Sequence, residues 1–291
     1  MILLADSGST KTMWMAVESG NKIVTEGLNP HFTTDEAFLA ACSTVRNAFH
    51  LSSFTFHLFF YGSGCGSEQQ RERVASLLFK AFGTSDVHVE TDLLGACRAI
   101  CGDQPGLVGI LGTGSNACYY DGKGIVYQAV STGYILGDEG SANHVGRQLL
   151  QDYLSGCMPE EVSDMFHDTY PQTKEEFLEA VYHQPNANRF LASLARFVLE
   201  HQDDDYCSML IEDSLDDWYI YQLEDLWLKS GCDDLYLVGG FAARIDKMLL
   251  DNFAQDHDLV LKEVVGDPID GLREYHLVKE NPYGVKKELS R

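Results

Sequence analysis

An α/β fold made of two similar halves is what this 291-residue sequence predicts. Three observations lead there. Short apolar segments alternate with segments of helical period, in the order strand-strand-strand-helix-strand-helix-strand from residue 2 to about residue 92. The same opening pattern restarts at residue 107. In both halves the first strand runs into a loop of glycine and hydroxyl residues before the second strand begins.

The elements follow in order. Residues 2–5, 12–17 and 22–26 read as strands, with Gly20-Asn21 as the turn between the second and third. Thr34, followed by Asp35 and Glu36, starts a helix that continues through Phe38, Leu39, Cys42, Val45 and Phe49. "TFHLFFYG" (55–62) is a buried strand, residues 68–82 repeat the helical period, and "DVHVE" (86–90) is a strand leading to Thr91-Asp92. "GLVGILGTGSNACYY" (106–120) gives strand, loop and strand, and Asp121-Gly122-Lys123-Gly124 turns the chain into "IVYQAV". After residue 138 the chain is mainly helical. Met209, Leu210, Leu215, Trp218, Leu223, Leu226 and Trp227 predict one long amphipathic helix that Gly231 could terminate. Residues 234–249 then read as a strand, a Gly239-Gly240 turn and a helix start. The expected division is 1–106 and 107–291, two lobes with a cleft between them, and the segment from about 268 reads as a helix that could pack back on the first lobe.

Composition narrows the function classes. A 45% hydrophobic and 22% charged chain with no long apolar run is an ordinary globular protein with no membrane partner. A net charge of -23 excludes a nucleic-acid partner, because a phosphate backbone would be repelled. The apolar start carries no basic leader, so a cytoplasmic location is expected. The eight cysteines show no zinc spacing and read as reduced thiols.

The two loops carry the chemistry. Ser7, Gly8, Ser9, Thr10 and Lys11 can surround a phosphate, because glycine removes side-chain bulk while backbone N–H groups and hydroxyls donate. One such loop is as well read as a polar hairpin turn. A second, Gly112-Thr113-Gly114-Ser115-Asn116, at the equivalent place in the other half shifts the balance toward the β- and γ-phosphates of ATP. Asp6 would then position hydrated Mg2+. Asp92, between a strand end and a helix start, reads equally as an N-cap or as a general base, and the two roles are compatible. Asp138 and Glu139 share that ambiguity, with Glu139 the more structural. Asn29, before Pro30, is a turn residue or an amide free to hydrogen-bond a ligand. His31 and His144 receive no role.

These stretches carry a resemblance. "DSGSTKT" resembles the first phosphate motif, "GTGSN" the second and "LVGGFAARIDKML" the adenosine motif of the superfamily of sugar kinases, actin and Hsp70-type chaperones. "TDLLGACRA" resembles its catalytic-aspartate segment, and "GDEGSA" (137–142) is similar to a segment typical of the N-acetylglucosamine kinase-like group with the BadF/BadG/BcrA/BcrD ATPase domain. The resemblance covers almost the whole chain and implies a two-lobed ribonuclease H-like (actin-like ATPase) fold, an ATP- and Mg2+-dependent sugar kinase, and a possible homodimer. It implies phosphate contacts from Gly8, Ser9, Thr10, Lys11, Gly112, Thr113 and Gly114, and adenosine contacts from Gly239, Gly240 and Arg244. The sugar, with N-acetylglucosamine the first expectation, would meet Asn29, Ser115, Asn116, Thr132, Gly133 and Asp138, with Asp92 as general base. One departure stands out: Ser131-Thr132-Gly133 replaces the Gly-Trp-Gly typical of N-acetylglucosamine kinases, which alters one wall of the pocket. A BadF-type ATPase that activates a partner enzyme, and a non-catalytic sugar or nucleotide sensor, stay open as alternatives. Cys97 and Cys101 match no iron-sulfur pattern of the first.

Overall fold

The computed structural model describes residues 1–51 and 56–279. The chain divides into two compact units, Met1–Gly102 with the segment from Pro268, and Asp103–Asp267. The boundary thus falls four residues before the expected one, because Asp103 packs with the second unit: a Cβ on Gly122 would overlap its carbonyl oxygen.

In the first unit, β1 (Ile2–Ser7) is central. It pairs antiparallel with β2 (Lys11–Ala16), which pairs antiparallel with β3 (Asn21–Glu26). On its other side β1 pairs parallel with β4 (His57–Gly62), and β4 with β5 (Val87–Thr91). Thr55, expected at the start of the fourth strand, lies outside the described residues. The apolar run at the N-terminus now has its reason: side chains alternate across a strand, and both faces of β1 are covered. Leu3 and Ala5 pack with Trp14 and Phe60 under α1 (Asp35–Ala48) and α2 (Glu68–Phe82). Ile2 and Leu4 pack on the opposite face with Met15, Tyr61, Ile269 and Leu272.

The last two residues belong to α12 (Ile269–Lys279), which lies on α3 (Asp92–Ile100). Close approach is possible because Gly271 carries no side chain; a Cβ there would overlap Ala99 O. Lys22 Nζ meets Asp270 at 2.6 Å, and Arg273 Nε donates to Val17 O at 2.8 Å. The buried Tyr61 hydroxyl accepts from Arg98 at 3.0 Å and lies 2.8 Å from His276 Nε2. Burial pushes His276 down to about 4, so its neutral ring accepts the tyrosine proton. Glu280 and Asn281, the end of the expected helix, lie outside the described residues.

The second unit repeats this topology. Its β6 (Gly106–Leu111) pairs antiparallel with β7 (Ser115–Tyr120), β7 with β8 (Ile125–Gln128), and β6 parallel with β9 (Asp234–Val238), which pairs with β10 (Val260–Val265). The order β10-β9-β6-β7-β8 is the counterpart of β5-β4-β1-β2-β3, so the duplication read from the loops extends to the whole of both sheets. Helices α4 (Gly133–Leu136), α5 (Ala142–Ser155), α6 (Glu160–Thr169), α7 (Lys174–Tyr182) and α8 (Ala187–Glu200) follow β8.

The long helix expected through residues 209–227 is present, with a π-helical turn inside it. It comprises α9 (Asp205–Trp218), a π-helical segment at Tyr219–Leu223, and α10 (Glu224–Ser230), which Gly231 ends at φ +63°. Apolar periodicity did not show the extra residue, because a π turn shifts the register by one position while still burying Tyr219 and Leu223. The Asp203-Asp204-Asp205 run is a helix end, with the Asp204 carboxylate accepting from Tyr206 N and Cys207 N. Finally, α11 (Lys247–Asp256) precedes β10.

Truncating Leu272 to alanine should cost roughly 2–5 kcal/mol, as for other fully buried leucines. Urea unfolding would measure it; an unchanged midpoint would mean that α12 contributes nothing to the first unit's core.

Candidate functional site

The first loop is Gly8-Ser9-Thr10 between β1 and β2, and it is held from below by a chain of hydroxyls. Ser7 and Thr12 are fully buried. Thr12 Oγ1 donates to Glu26 O at 3.0 Å, Ser7 Oγ lies 2.8 Å from Thr12 Oγ1, and Leu28 N donates to Ser7 Oγ at 3.1 Å. Each hydroxyl has one proton, so Thr12 directs its own to Glu26 and Ser7 directs its own to Thr12. The Ser7 side chain is therefore fully engaged inside the unit, which corrects its expected place among the phosphate donors. Gly27 closes the arrangement: a Cβ there would stand 2.5 Å from Ser9 O. Gly8 and Ser9 are half-buried, while Thr10 and Lys11 are exposed.

Asp92 opens α3, but the cap is its neighbour: Thr91 Oγ1 accepts from Leu94 N at 3.2 Å. Asp92 is thereby relieved of the capping role that the sequence allowed it. Its Oδ1 accepts from Leu93 N at 2.9 Å. Burial pushes the carboxyl up to about 6, opposed by hydrogen bonds from the Leu93 and Asp92 backbone and the Ser63 side chain. Ser63 also accepts from Asn29 Nδ2 at 3.3 Å, while Asn29 Oδ1 accepts from His31 N at 2.9 Å. Asn29 is thus a turn residue whose amide is coupled to Asp92 through Ser63. Gly64, at φ +81°, leaves the room; a Cβ there would overlap Asn29 Oδ1.

In the second unit the loop Gly112-Thr113-Gly114 rests on the start of α5. Ala142 N donates to Gly112 O at 3.0 Å and Asn143 N to Thr113 O at 3.2 Å. Asp138, at φ +58°, lies beside the same loop: its Oδ1 accepts from Ser115 N at 3.4 Å, and a Cβ on Gly114 would stand 2.7 Å from its Oδ2. Burial raises the Asp138 carboxyl above the ordinary range, and Glu139 adds to the effect. Glu139 Oε2 accepts from Gln222 Nε2 at 2.9 Å, and the same nitrogen donates to Ser115 Oγ at 2.8 Å. Asn116 is half-buried and its Oδ1 accepts from Ala117 N at 2.9 Å.

Gly239, at φ +135°, follows β9 and presses on the loop's approach strand, where a Cβ would overlap Leu111 O. Gly240 is exposed, with nothing within 4 Å of an added Cβ, which leaves space for a ligand against its backbone. Arg244 is also exposed, and its charge acts on Glu200. Thr132 and Gly133 are exposed as well, and the Thr132 hydroxyl lies against Gly137. His144 is buried, with Nδ1 2.7 Å from Ser214 Oγ. Among the described residues no group of three or more His, Cys, Asp or Glu side chains is placed to hold a metal ion, and no helix is long and apolar enough to cross a membrane.

No protein-family model and no curated protein sequence matches the chain. Solved structures do. A candidate N-acetylglucosamine kinase from Porphyromonas gingivalis is 34% identical, with a TM-score of 0.89 over 96% of this chain and 100% of its own. The chain belongs to the N-acetylglucosamine kinase-like family of carbohydrate kinases. More distant structures share the actin-like fold. A candidate N-acetylglucosamine kinase from Chromobacterium violaceum is 21% identical, with a TM-score of 0.71 over 94% of this chain and 98% of its own. A glucokinase from Streptomyces griseus, solved with glucose and AMPPNP, is 14% identical, with a TM-score of 0.55 over 95% of this chain and 98% of its own.

Two polar residues, one in each unit, are not legible in the sequence as partners of the expected residues. Ser63 follows a buried strand in "YGSGCG", where the glycines were the available signal. Gln222 lies in a helix whose π turn leaves no mark in the apolar period.

Gly239→Ala should destabilise the protein by at least about 2 kcal/mol through positive-φ strain and overlap, whereas Gly240→Ala should cost less than about 0.5 kcal/mol. Equal urea midpoints for the two variants would refute the assigned packing.

Proposed function

We propose that the protein transfers the γ-phosphoryl group of ATP to a hydroxyl of a hexose or amino sugar, with N-acetylglucosamine the first acceptor to test. The observation that carries this reading is Asp92: a carboxyl pushed up to about 6 by burial, ionised at neutral pH, relieved of capping by Thr91 and hydrogen-bonded by Ser63. A base poised slightly below working pH suits removal of a proton from an alcohol as it attacks phosphorus. Membership in a carbohydrate-kinase family supports the acceptor class.

The residues take these roles. Gly8, Ser9, Thr10 and Lys11 in the first unit, and Gly112, Thr113 and Gly114 in the second, offer backbone N–H groups and hydroxyls to phosphate oxygens. Gly240 offers open backbone to the nucleoside. Asn29, Ser115, Asn116 and Asp138 bind sugar oxygens and nitrogen, and Asp92 accepts the proton of the attacking hydroxyl. Asp6, half-buried near the end of β1, is the carboxylate that would hold Mg2+, an ion commonly held by one or two carboxylates together with waters and substrate phosphates. When bound it would neutralise phosphate charge. The exposed Thr132, in place of the tryptophan expected from the resemblance to N-acetylglucosamine kinases, supports testing smaller or larger acceptors beside N-acetylglucosamine.

Asp92→Asn should lower sugar-dependent ADP release by about 10²-fold or more, the usual contribution of a positioned base. In the wild-type enzyme kcat should fall as pH drops through about 6, because protonated Asp92 accepts no proton. The assay is ADP release with Mg-ATP and glucose, N-acetylglucosamine, N-acetylmannosamine or N-acetylmuramic acid, with a no-sugar control. Full activity in the variant would overturn the mechanism; release without sugar would favour a partner-activating ATPase.

A further inference from the structure

The π-helical segment delivers Gln222 to the second unit's site. An additional residue in one turn changes which side chains face inward: Tyr219, Gln222 and Leu223 are buried, while Ile220 and Tyr221 are exposed. Such turns inside longer helices are often found at functional positions. Here the inward polar residue has two partners on other elements, Ser115 Oγ at 2.8 Å at the start of β7 and Glu139 Oε2 at 2.9 Å in the loop before α5.

The direction of these bonds follows from the groups themselves. A carboxylate oxygen accepts, so the end of the Gln222 amide facing Glu139 Oε2 is the NH2 group. That nitrogen only donates, so in the second contact Ser115 Oγ must accept. A serine hydroxyl has one proton, and with a lone pair occupied by Gln222 the proton is left for a different acceptor. The Ser115 backbone N–H is directed separately to Asp138 Oδ1. Glu139 thus orients the amide, and the amide sets the polarity of the hydroxyl.

We propose that Gln222 is a positioning residue that fixes Ser115 as a hydrogen-bond donor toward an acceptor oxygen of the sugar, either a hydroxyl oxygen or an acetamido carbonyl. The proposal rests on the sugar-kinase reading and adds to it the residue that sets the sense of one substrate hydrogen bond. Glu139 is then an orienting acceptor, held to this task by Gln222 and not by the substrate.

Two variants of similar size separate donor polarity from packing. Gln222→Met removes the donor. Gln222→Glu presents an acceptor to Ser115 and a second carboxylate to Glu139, and regains a donor only when the pair takes up a proton. Titration calorimetry with N-acetylglucosamine and glucose, together with steady-state KM values for sugar and ATP, provides the readout. Both variants should bind the accepted sugar at least tenfold more weakly at pH 8, with the KM for ATP changed less than twofold. Asp92 and Asp138, both raised by burial, titrate in wild type and in both variants, so affinity is compared with wild type at each pH; on that scale Gln222→Glu alone should recover as pH falls toward 6, a response that lost packing would not produce. Ser115→Ala should weaken sugar binding to a similar extent, and adding Gln222→Met to it should cause little further loss, since both act on one hydrogen bond.

Sugar affinity within twofold of wild type in the Gln222 variants, or a pH-independent loss in Gln222→Glu matching that of Gln222→Met, would overturn the proposal. Should neither Gln222 variant fold, unchanged sugar affinity in Ser115→Ala overturns it and a tenfold loss supports it. A wild-type protein that binds neither sugar nor any other acceptor removes the kinase reading itself, an outcome distinct from a working kinase indifferent to Gln222.

Discussion

Both loops depend on backbone packing against backbone with no side chain between. Gly27 stands where a Cβ would come within 2.5 Å of Ser9 O, and Gly239 where one would overlap Leu111 O. In each unit a residue from a later strand or turn thus buttresses the loop or its approach strand. Neighbouring N–H groups add to this by holding loop carbonyls: Gly27 N donates to Thr10 O, and Ala142 N and Asn143 N donate to Gly112 O and Thr113 O. A loop whose carbonyls are held in this way keeps a constant shape, which recognition of a phosphate requires.

The same economy of polar groups explains how a chain of net charge -23 keeps acids in its sites. Desolvation raises both Asp92 and Asp138. Each is nevertheless supplied with a backbone donor, Leu93 N and Ser115 N, which favours its charged form and opposes the effect of burial. Asp138 pays for its position with a left-handed backbone conformation, the kind of local strain that surrounding structure must maintain. Trp218 supplies part of that structure. Its side chain fills the space that Gly109 and Gly140 leave open, linking β6 to the loop that carries Asp138 and Glu139.

How much was legible in the sequence can be judged from particular elements. The order of elements along the chain, though not the strand order within each sheet, was readable because apolar runs and helical periods alternate and β1 and β6 each end in a glycine-hydroxyl loop. The start of α1 was readable because Thr34 caps it with a side-chain oxygen that accepts from Ala37 N, and α2 was readable from its helical period, its Ser67 cap emerging only in the structure. The division of labour at residues 91 and 92 was not, since threonine and aspartate are both competent caps and only backbone geometry decides between them. Ser7 was misplaced for a similar reason. A serine beside a phosphate-type loop looks like a donor until the depth of Thr12 and the approach of Leu28 are known.

The sequence by itself determined the alternation of elements, the doubled loop pattern and the acids at their ends, because these follow from side-chain period and from residue types with few conformational options. Tertiary structure decided which hydroxyl is buried, that Ser63 joins Asn29 to Asp92, that α12 covers the second face of β1, and that a π turn brings Gln222 to Ser115 and Glu139. Those facts depend on contacts between residues tens to hundreds of positions apart. Hydrogen-bond direction and burial are properties of such contacts, and no local pattern records them.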